Sequence, residues 1–514
     1  MNVAAHLVVV PVVLPLAAAA LLVSIDERRH ALKAAISLAC IVLLLAAAIA
    51  LMATAGAPRL YALGDWPAPF GIVLVADRLS VAMVTLAAVL ALAATVFSLA
   101  RWQRAGSRFH ALVQFLLMGL DGAFLTGDLF NLFVFFELLL AASYGLALYG
   151  SGAARVLASL HYIVINLTAS LFFLVGVALV YGVTGTLNMA DLAQRIPAVP
   201  AGDRFLVEAG AAVMSLAFLL KAGMWPLGFW LPSTYAAASP PAAALLSILS
   251  KVGVYALLRL WLLLFRGEAA GFLLAVGGMA TLVFAITGVL ASQGLGRIAG
   301  YSLLASSGML LASFGAGGVA AVGPALYYLM ASTLGIAALF LLIELVQRAR
   351  QPGADVIGLT AEAFGMDAGE KGEEEAGRII PAVAAILGLS FMGCALLVAG
   401  LPPFPGFIGK FALLAALLRN DAIGPAAWTL LALVVASGLA SLIAFARAGI
   451  RIFWATQWRA LPRVRVIEIA PVAMLLALLL GLTAKAGPAL AYFEDAAREL
   501  AAPAGYIEAV LGRR

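Results

Sequence analysis

Residues 132–140 read Leu132-Phe133-Val134-Phe135-Phe136-Glu137-Leu138-Leu139-Leu140, an apolar run carrying one carboxylate. Outward from it in both directions, runs of about 20 mostly apolar residues recur, each long enough to cross a hydrocarbon core of about 30 Å at about 1.5 Å per residue. About fourteen such runs begin near Ala5, Ala34, Leu79, Ala111, Leu132, Tyr162, Phe205, Ala242, Gly271, Ala299, Val322, Ile379, Ala426 and Val466. Apart from Pro and Gly breaks they are rich in Leu, Ala, Val and Ile without period-two alternation, which selects helices over a barrel. Composition agrees: the 514 residues are 65% hydrophobic and 11% charged, where a soluble chain carries about 25% charged residues. The sequence predicts an all-α polytopic membrane protein embedded in a lipid bilayer.

The net charge of +6 does not point to nucleic acid, because the basic residues fall in short loops between spans. Arg28, Arg29 and Lys33 follow the first span, Arg101, Arg104 and Arg108 the third, Arg348 and Arg350 the eleventh, and Arg459, Arg463 and Arg465 the thirteenth. Other loops hold scattered charges such as Arg59, Arg195 and Arg266. The positive-inside rule then puts the odd-numbered exits in the cytoplasm and both termini outside a cell (inner) membrane. Only His6 precedes the first run, which reads as a retained helix rather than a cleaved leader. Cys40 and Cys394 are far apart and lack a CxxC or His-spaced partner, so neither a disulfide framework nor a metal site is expected. There is no P-loop, Rossmann fingerprint or nucleophile elbow, so no cofactor is expected and ATP-driven transport has no support.

Two helices are expected to break inside the membrane. One break lies in Leu220-Lys221-Ala222-Gly223-Met224-Trp225-Pro226-Leu227-Gly228-Phe229-Trp230-Leu231-Pro232; the other is Gly400-Leu401-Pro402-Pro403-Phe404-Pro405-Gly406-Phe407-Ile408-Gly409-Lys410. Proline removes a backbone donor and glycine loosens the helix. Corresponding interrupted segments in two halves point to inverted repeats with a site at the breaks. The expected organisation is one transmembrane domain: helices 1–3 in residues 1–110, a first five-helix repeat in 111–268, a second, inverted one in 269–455, and a last helix with its tail in 456–514. The polar stretch from Gln347 to Gly377 reads as a cytoplasmic loop, with Gly369-Glu370-Lys371-Gly372-Glu373-Glu374-Glu375 as a solvated charge run.

A charge near the bilayer centre costs roughly 2.5–3.5 kcal/mol on insertion scales, so it needs a partner or a watery path. That singles out Glu137, Lys221, Lys251 and Lys410, which sit in or beside apolar helical stretches. Desolvation favours a neutral lysine and a nearby carboxylate favours ammonium, so opening and closing a Glu–Lys pair lets a lysine load and release protons. The expectation is that Glu137 pairs with Lys221 while Lys251 and Lys410 relay the proton laterally. The competing reading is that a buried pair fixes helix packing and that lysines near span ends snorkel to the interface. Asp121 and Asp128, seven residues apart, share a helix face and could lead ions toward Glu137, although Asp128 equally suits a helix end. His110 and His161 read as proton shuttles or as interfacial histidines with a satisfied hydrogen bond. Ser302, Ser306 and Ser307 either line a water path or make helix-to-helix and back-bonded hydroxyl contacts. Arg297 is explained by orientation, and Trp225, Phe229 and Trp230 by packing or interface anchoring.

These stretches resemble a known family. Gly127-Asp128-Leu129-Phe130-Asn131 through Glu137, Lys221 through Pro232, Ser250-Lys251-Val252-Gly253-Val254-Tyr255 and Gly400 through Lys410 are similar to the antiporter-like membrane subunits. That group includes the proton-pumping subunits of respiratory complex I and the large subunits of Mrp-type cation/proton antiporters. Thr186-Leu187-Asn188-Met189-Ala190-Asp191-Leu192 and Trp230-Leu231-Pro232-Ser233-Thr234-Tyr235, followed by Ala238-Ser239-Pro240-Pro241-Ala242, look most like the D-type branch of the Mrp antiporter subunits. The resemblance implies that Glu137 is the fifth-helix acid, and that Lys221, Lys251 and Lys410 are the seventh-, eighth- and twelfth-helix lysines. Gly228 stands where many relatives have histidine, Ser233 where they have an acid, and Ser306 and Ser307 where the tenth helix often has histidine. The resemblance further implies other subunits of a hetero-oligomeric complex as partners, and protons with Na+ or K+ as cargo. The implied function is a transporter subunit that conducts protons to drive cation efflux. The alternatives are a proton-pumping subunit of a redox-driven NADH dehydrogenase or hydrogenase-like complex, and a scaffold whose buried charges only specify packing.

Overall fold

The computed structural model describes residues 6–512 apart from 55, 57, 266, 268–269, 351–381, 420–423 and 455–463. The charge run at Gly369–Glu375, Arg266, Arg459, Arg463 and the expected span start at Ile379 lie outside the described residues.

The polytopic helical reading holds, with 11 helices among the described residues long and apolar enough to cross a membrane. In chain order the helices are α1 (Val10–Ser24), α2 (His30–Ala53), α3 (Arg78–Ser98), α4 (Phe109–Leu125), α5 (Leu129–Ala147) and α6 (Ala153–Thr184). Then come the short α7 (Met189–Arg195), α8 (Ala201–Ala222), α9 (Trp230–Ala237), α10 (Pro240–Leu246), α11 (Leu249–Phe265) and α12 (Gly271–Ala291). The long α13 (Leu295–Arg350) is kinked at Gly318, whose φ is 55°. It is followed by α14 (Ala382–Ala399), α15 (Pro405–Leu418), α16 (Pro425–Gly449), α17 (Val466–Ala484), α18 (Ala486–Ala501) and α19 (Ala504–Leu511). A small antiparallel hairpin, β1 (Arg59–Ala62) with β2 (Val73–Ala76), joins α2 to α3.

Local chemistry sets the helix starts. Asp77 caps α3 through a reciprocal capping box with Ser80, and Asp128 caps α5 by accepting from the Asn131 amide. Pro240, Pro405 and Pro425 open their helices, where a missing amide hydrogen costs nothing. The α10–α11 and α13 windows are 94% buried, whereas α17 is only 28% buried, so the first two form the middle of the layer and α17 its rim. Small residues let the centre close up: a side chain on Gly253 of α11 would collide with the Phe218 carbonyl and the Ala222 amide of α8.

Both expected breaks are present. The first helix ends at Gly223 (φ 80°), with the Met224 amide returning to the Leu219 carbonyl, and the chain resumes as α9. The second ends at Gly400 (φ 77°), with the Leu401 amide returning to Leu396, and resumes as α15. Glycine is required at both because a left-handed backbone closes the last turn. Gly400 and the prolines after it thus divide the apolar run expected from near Ile379 into α14 and α15. Conversely, the expected loop from Gln347 begins as helix, since α13 continues to Arg350.

Candidate functional site

Lys221 occupies the last turn of α8, 6% exposed, and its Nζ has no hydrogen-bond partner. The amine lies 5.1 Å from the centre of the Phe136 ring, a cation–π distance. A cavity of about 10 Å³ beside it is lined by Phe136, Tyr162, Asn166, Trp230 and Leu249. Glu137 follows Phe136 on α5, half-buried, with one carboxylate oxygen enclosed and unpartnered. The expected Glu137–Lys221 ion pair is therefore not formed in this conformation. Its place toward Lys221 is taken by Phe136, which is fixed in an aromatic cluster with Phe173 and Phe218. Glu137, one residue later on the helix and about 100° further round, is a neighbouring acid without an ion pair to the lysine.

Lys251, on α11, is fully buried, and its Nζ donates to Ser306 Oγ at 2.9 Å and Ser307 Oγ at 3.1 Å, both on α13. The Ser306 hydroxyl is 2.8 Å from that of Ser332, beyond the kink on the same long helix. Ser332 in turn lines a cavity of about 20 Å³ with Ser302, Tyr328, Ser437, Ser441 and Lys410. A volume near 10–15 Å³ admits one water, so this polar cavity is large enough to hold one. Lys410, in the second turn of α15 and 7% exposed, donates to the carbonyls of Ala399 at 3.0 Å and Val398 at 3.4 Å. Those carbonyls are freed by the break after α14, where the helix dipole also favours a cation. Lys251 is thus linked through Ser306 and Ser332 to a polar seam at the cavity that Ser302 and Lys410 line.

Other residues singled out in the sequence stand apart from it. Asp121 is completely buried with both carboxylate oxygens unpartnered. It shares the face of α4 that carries Gln114, which bonds Ser37 and Cys40 of α2. Asp128 is a helix cap. His161 is exposed on α6 with its ring nitrogen 3.0 Å from the Leu157 carbonyl, and His110 is buried against Gln103 at 3.2 Å. The Ser302 hydroxyl is back-bonded to Ile298 at 2.8 Å while still lining the cavity.

Sequence reasoning missed a fifth buried centre. Arg259 of α11 pairs with Asp77 at 2.6 Å, their side chains 4% and 8% exposed. The signal was present: Arg259 lies eight residues beyond Lys251 in the same apolar run, Leu257-Leu258-Arg259-Leu260-Trp261. Ser332 was missed for a different reason, because only the fold brings it to Ser306. Glu344 was also overlooked within Leu341-Leu342-Ile343-Glu344-Leu345; it binds Trp102 Nε1 at 2.5 Å and pairs with Arg101 and Arg348.

Residues 126–443 match the family described as NADH:quinone oxidoreductase/Mrp antiporter, transmembrane. The chain is 53% identical to the D-type subunit of a probable K(+)/H(+) antiporter of Rhizobium meliloti (strain 1021), over 98% of this chain and 97% of that one. It is 34% identical to the D-type subunit of the Na(+)/H(+) antiporter of Bacillus subtilis (strain 168), over 98% and 99% of the two chains. Among solved structures, a chain of the Mrp complex from Dietzia sp. DQ12-45-1b superposes with a TM-score of 0.84 at 27% identity, covering 100% of both chains.

Proposed function

Because this chain belongs to the NADH:quinone oxidoreductase/Mrp antiporter transmembrane family and, within it, to the D-type branch of the Mrp antiporter subunits, we propose that it carries protons along Glu137, Lys221, Lys251 and Lys410 to drive export of a monovalent cation. Relatives of this kind are subunits of multisubunit complexes, and the chain is a multi-pass transporter subunit.

The observation that carries the proposal is the hydrogen-bonded run from Lys251 through Ser306 and Ser332 to the cavity at Lys410. Hydroxyl groups both donate and accept, so such a run can hand a proton from one amine to the next by exchanging O–H and N–H bonds, and the positive charge moves with the proton. Loading at the other end depends on Glu137: a motion of Phe136 that let the carboxylate approach Lys221 would favour ammonium, and withdrawal would release the proton. In this reading the residue order along the bilayer is Glu137, Lys221, Lys251, Lys410, with residues 111–268 and 269–455 as inverted repeats. Asp121, Asp128 and His161 serve at most as feeders to it. Both termini face outward across the cell membrane, and the membrane potential contributes about 2.3 kcal/mol per charge per 100 mV to inward proton flow. The relative at 53% identity is named for potassium and the one at 34% for sodium, so potassium is the first cation to test.

The test is cation-dependent collapse of an imposed pH gradient in vesicles containing the complete complex, native against Glu137→Gln at equal assembly. Potassium- or sodium-dependent activity lost in Glu137→Gln supports the proposal. Unchanged activity removes Glu137 from the path. Proton pumping that requires an electron donor, with no cation dependence, moves the chain to the redox-driven branch of its family.

A further inference from the structure

We infer that the cavity bounded by α3, α11 and the C-terminal helices α18 and α19 is a hydrated vestibule through which protons reach Lys251, with the Tyr255 hydroxyl as the last carrier. This rests on the reading that Lys251 loads protons, and it adds the route by which they arrive.

The cavity has a volume of about 80 Å³ and is lined by Asp77, Arg259, Glu499 and Tyr506 together with apolar residues such as Leu79 and Leu500. One water needs about 10–15 Å³ and two or more polar partners, so the site is both large and polar enough for several. Two lining groups have room for such partners: Arg259 Nε is buried without a hydrogen bond, and Tyr506 Oη is buried with the Arg259 guanidinium as a polar neighbour. Tyr506 is 7% exposed.

Helical spacing connects the vestibule to the seam. Lys251, Tyr255 and Arg259 are four residues apart and share one face of α11, each step rising about 6 Å. The Arg259 guanidinium lies 5.2 Å from the Tyr255 ring and 5.8 Å from that of Tyr506, so it is held between the two. Arginine does not release its proton in proteins, and its pairing with Asp77 makes a closely neutralised wall rather than a carrier. The Tyr255 hydroxyl, buried and donating to the Phe124 carbonyl at 2.5 Å, has the Arg259 guanidinium as a donor and keeps one lone pair to accept. A proton passing from a vestibule water to that oxygen releases the hydroxyl's own proton toward the neutral Lys251 amine. With a hydronium in the vestibule as donor, its O–H bond and the original tyrosine O–H bond break, a new tyrosine O–H bond and one N–H bond form, a neutral water is left behind, and no electron is exchanged.

The two C-terminal helices form the lid. Arg78, beside Asp77, pairs with Glu499 of α18, and Tyr492 Oη donates to the Arg78 carbonyl at 2.9 Å.

Two measurements on the assembled complex decide the matter. Hydroxyl-radical footprinting reads hydration whatever the transported ion: Tyr506 is expected to oxidise about tenfold faster than Tyr235, which is also buried (3% exposed against 7%) and whose hydroxyl bonds the Leu246 carbonyl. Equal rates would mean the vestibule is dry and overturn the inference. Tyr255→Phe removes only a hydroxyl, and cation-dependent proton flux is expected to fall about 100-fold, the lower range for a positioned proton-transfer group, while Tyr235→Phe retains it. Undiminished flux in Tyr255→Phe would overturn the assignment of Tyr255 and leave antiport itself standing. Absence of flux in the native complex would instead strike the antiport reading, with the footprint still deciding the vestibule.

Discussion

The two broken helices end alike but hold their lysines oppositely. Each stops at a left-handed glycine, passes a proline-bearing turn and restarts as a shorter helix. At the first break the lysine lies before the glycine, where the carbonyls of Leu219 and Leu220 are already taken by Met224 and Gly223. Lys221 is left facing an aromatic ring and a neighbouring acid. At the second break the lysine lies after the glycine and reaches back to the Ala399 and Val398 carbonyls. The same backbone device yields one unpartnered amine and one tethered amine. A group that must exchange its proton with a mobile acid benefits from the first arrangement, while a terminal station that must stay in place benefits from the second.

The strongest way to break this comparison is to keep both charges and remove their ability to deprotonate. Arginine stays protonated and is larger and planar, so Lys221→Arg and Lys410→Arg are each expected to cut cation-dependent proton flux by about 100-fold if proton exchange is their task. A purely structural tether at Lys410 would tolerate the arginine, since its donors still reach the same carbonyls. Full flux in Lys410→Arg, with loss in Lys221→Arg, would therefore leave only the first break in the proton path.

A smaller effect separates the glycines. Alanine at either φ near 80° costs about 1–2 kcal/mol of backbone strain, so Gly223→Ala and Gly400→Ala should lower thermal stability similarly. Their surroundings differ. A Cβ on Gly223 meets the flexible ends of Leu304 and Leu231 at 2.9 and 3.1 Å, whereas on Gly400 it would lie 2.8 Å from Lys410 Nζ itself. Gly400→Ala is thus expected to lose a further tenfold or so in flux, the scale of one charge-assisted hydrogen bond, while Gly223→Ala stays within about twofold of native at equal assembly. Equal flux in the two variants would show that the Lys410 tether carries no functional weight.

This contrast also marks how far the sequence could be read. The breaks were legible because Gly223, Pro226, Gly400 and Pro402 act locally on the backbone, and the four charges because any ion in an apolar run is conspicuous. Facing directions were not. The position of Phe136 toward Lys221, which displaces the expected ion pair, follows from a three-ring cluster contributed by α5, α6 and α8. Ser332 has no local signal at all, since a serine in a helix is usually back-bonded, as it also is here to Leu329 at 3.2 Å. Its second contact, with Ser306, exists only because α13 kinks at Gly318 and brings its two halves together. Arg259 was legible in principle, but its acid lies at the start of α3, 182 residues away.

The smallest expected effect tests the connection between the two breaks. Ser332→Ala leaves Lys251 with both of its acceptors, Ser306 and Ser307, and leaves Lys410 on its carbonyls, so neither lysine is disturbed. What disappears is a hydroxyl that both touches Ser306 and lines the Lys410 cavity, a position that Tyr328 shares. A neutral hydrogen bond is worth about 1 kcal/mol, and a water in the enlarged cavity can partly replace it, so flux should fall only about three- to fivefold. Because the lysines keep their partners, thermal stability should change little. A loss that is absent in Ser332→Ala and equally absent in Ser332→Thr would leave the seam as packing between two independent lysines. A loss in the first that is restored by the second, which returns the hydroxyl, would tie the unpartnered amine at one break to the tethered amine at the other.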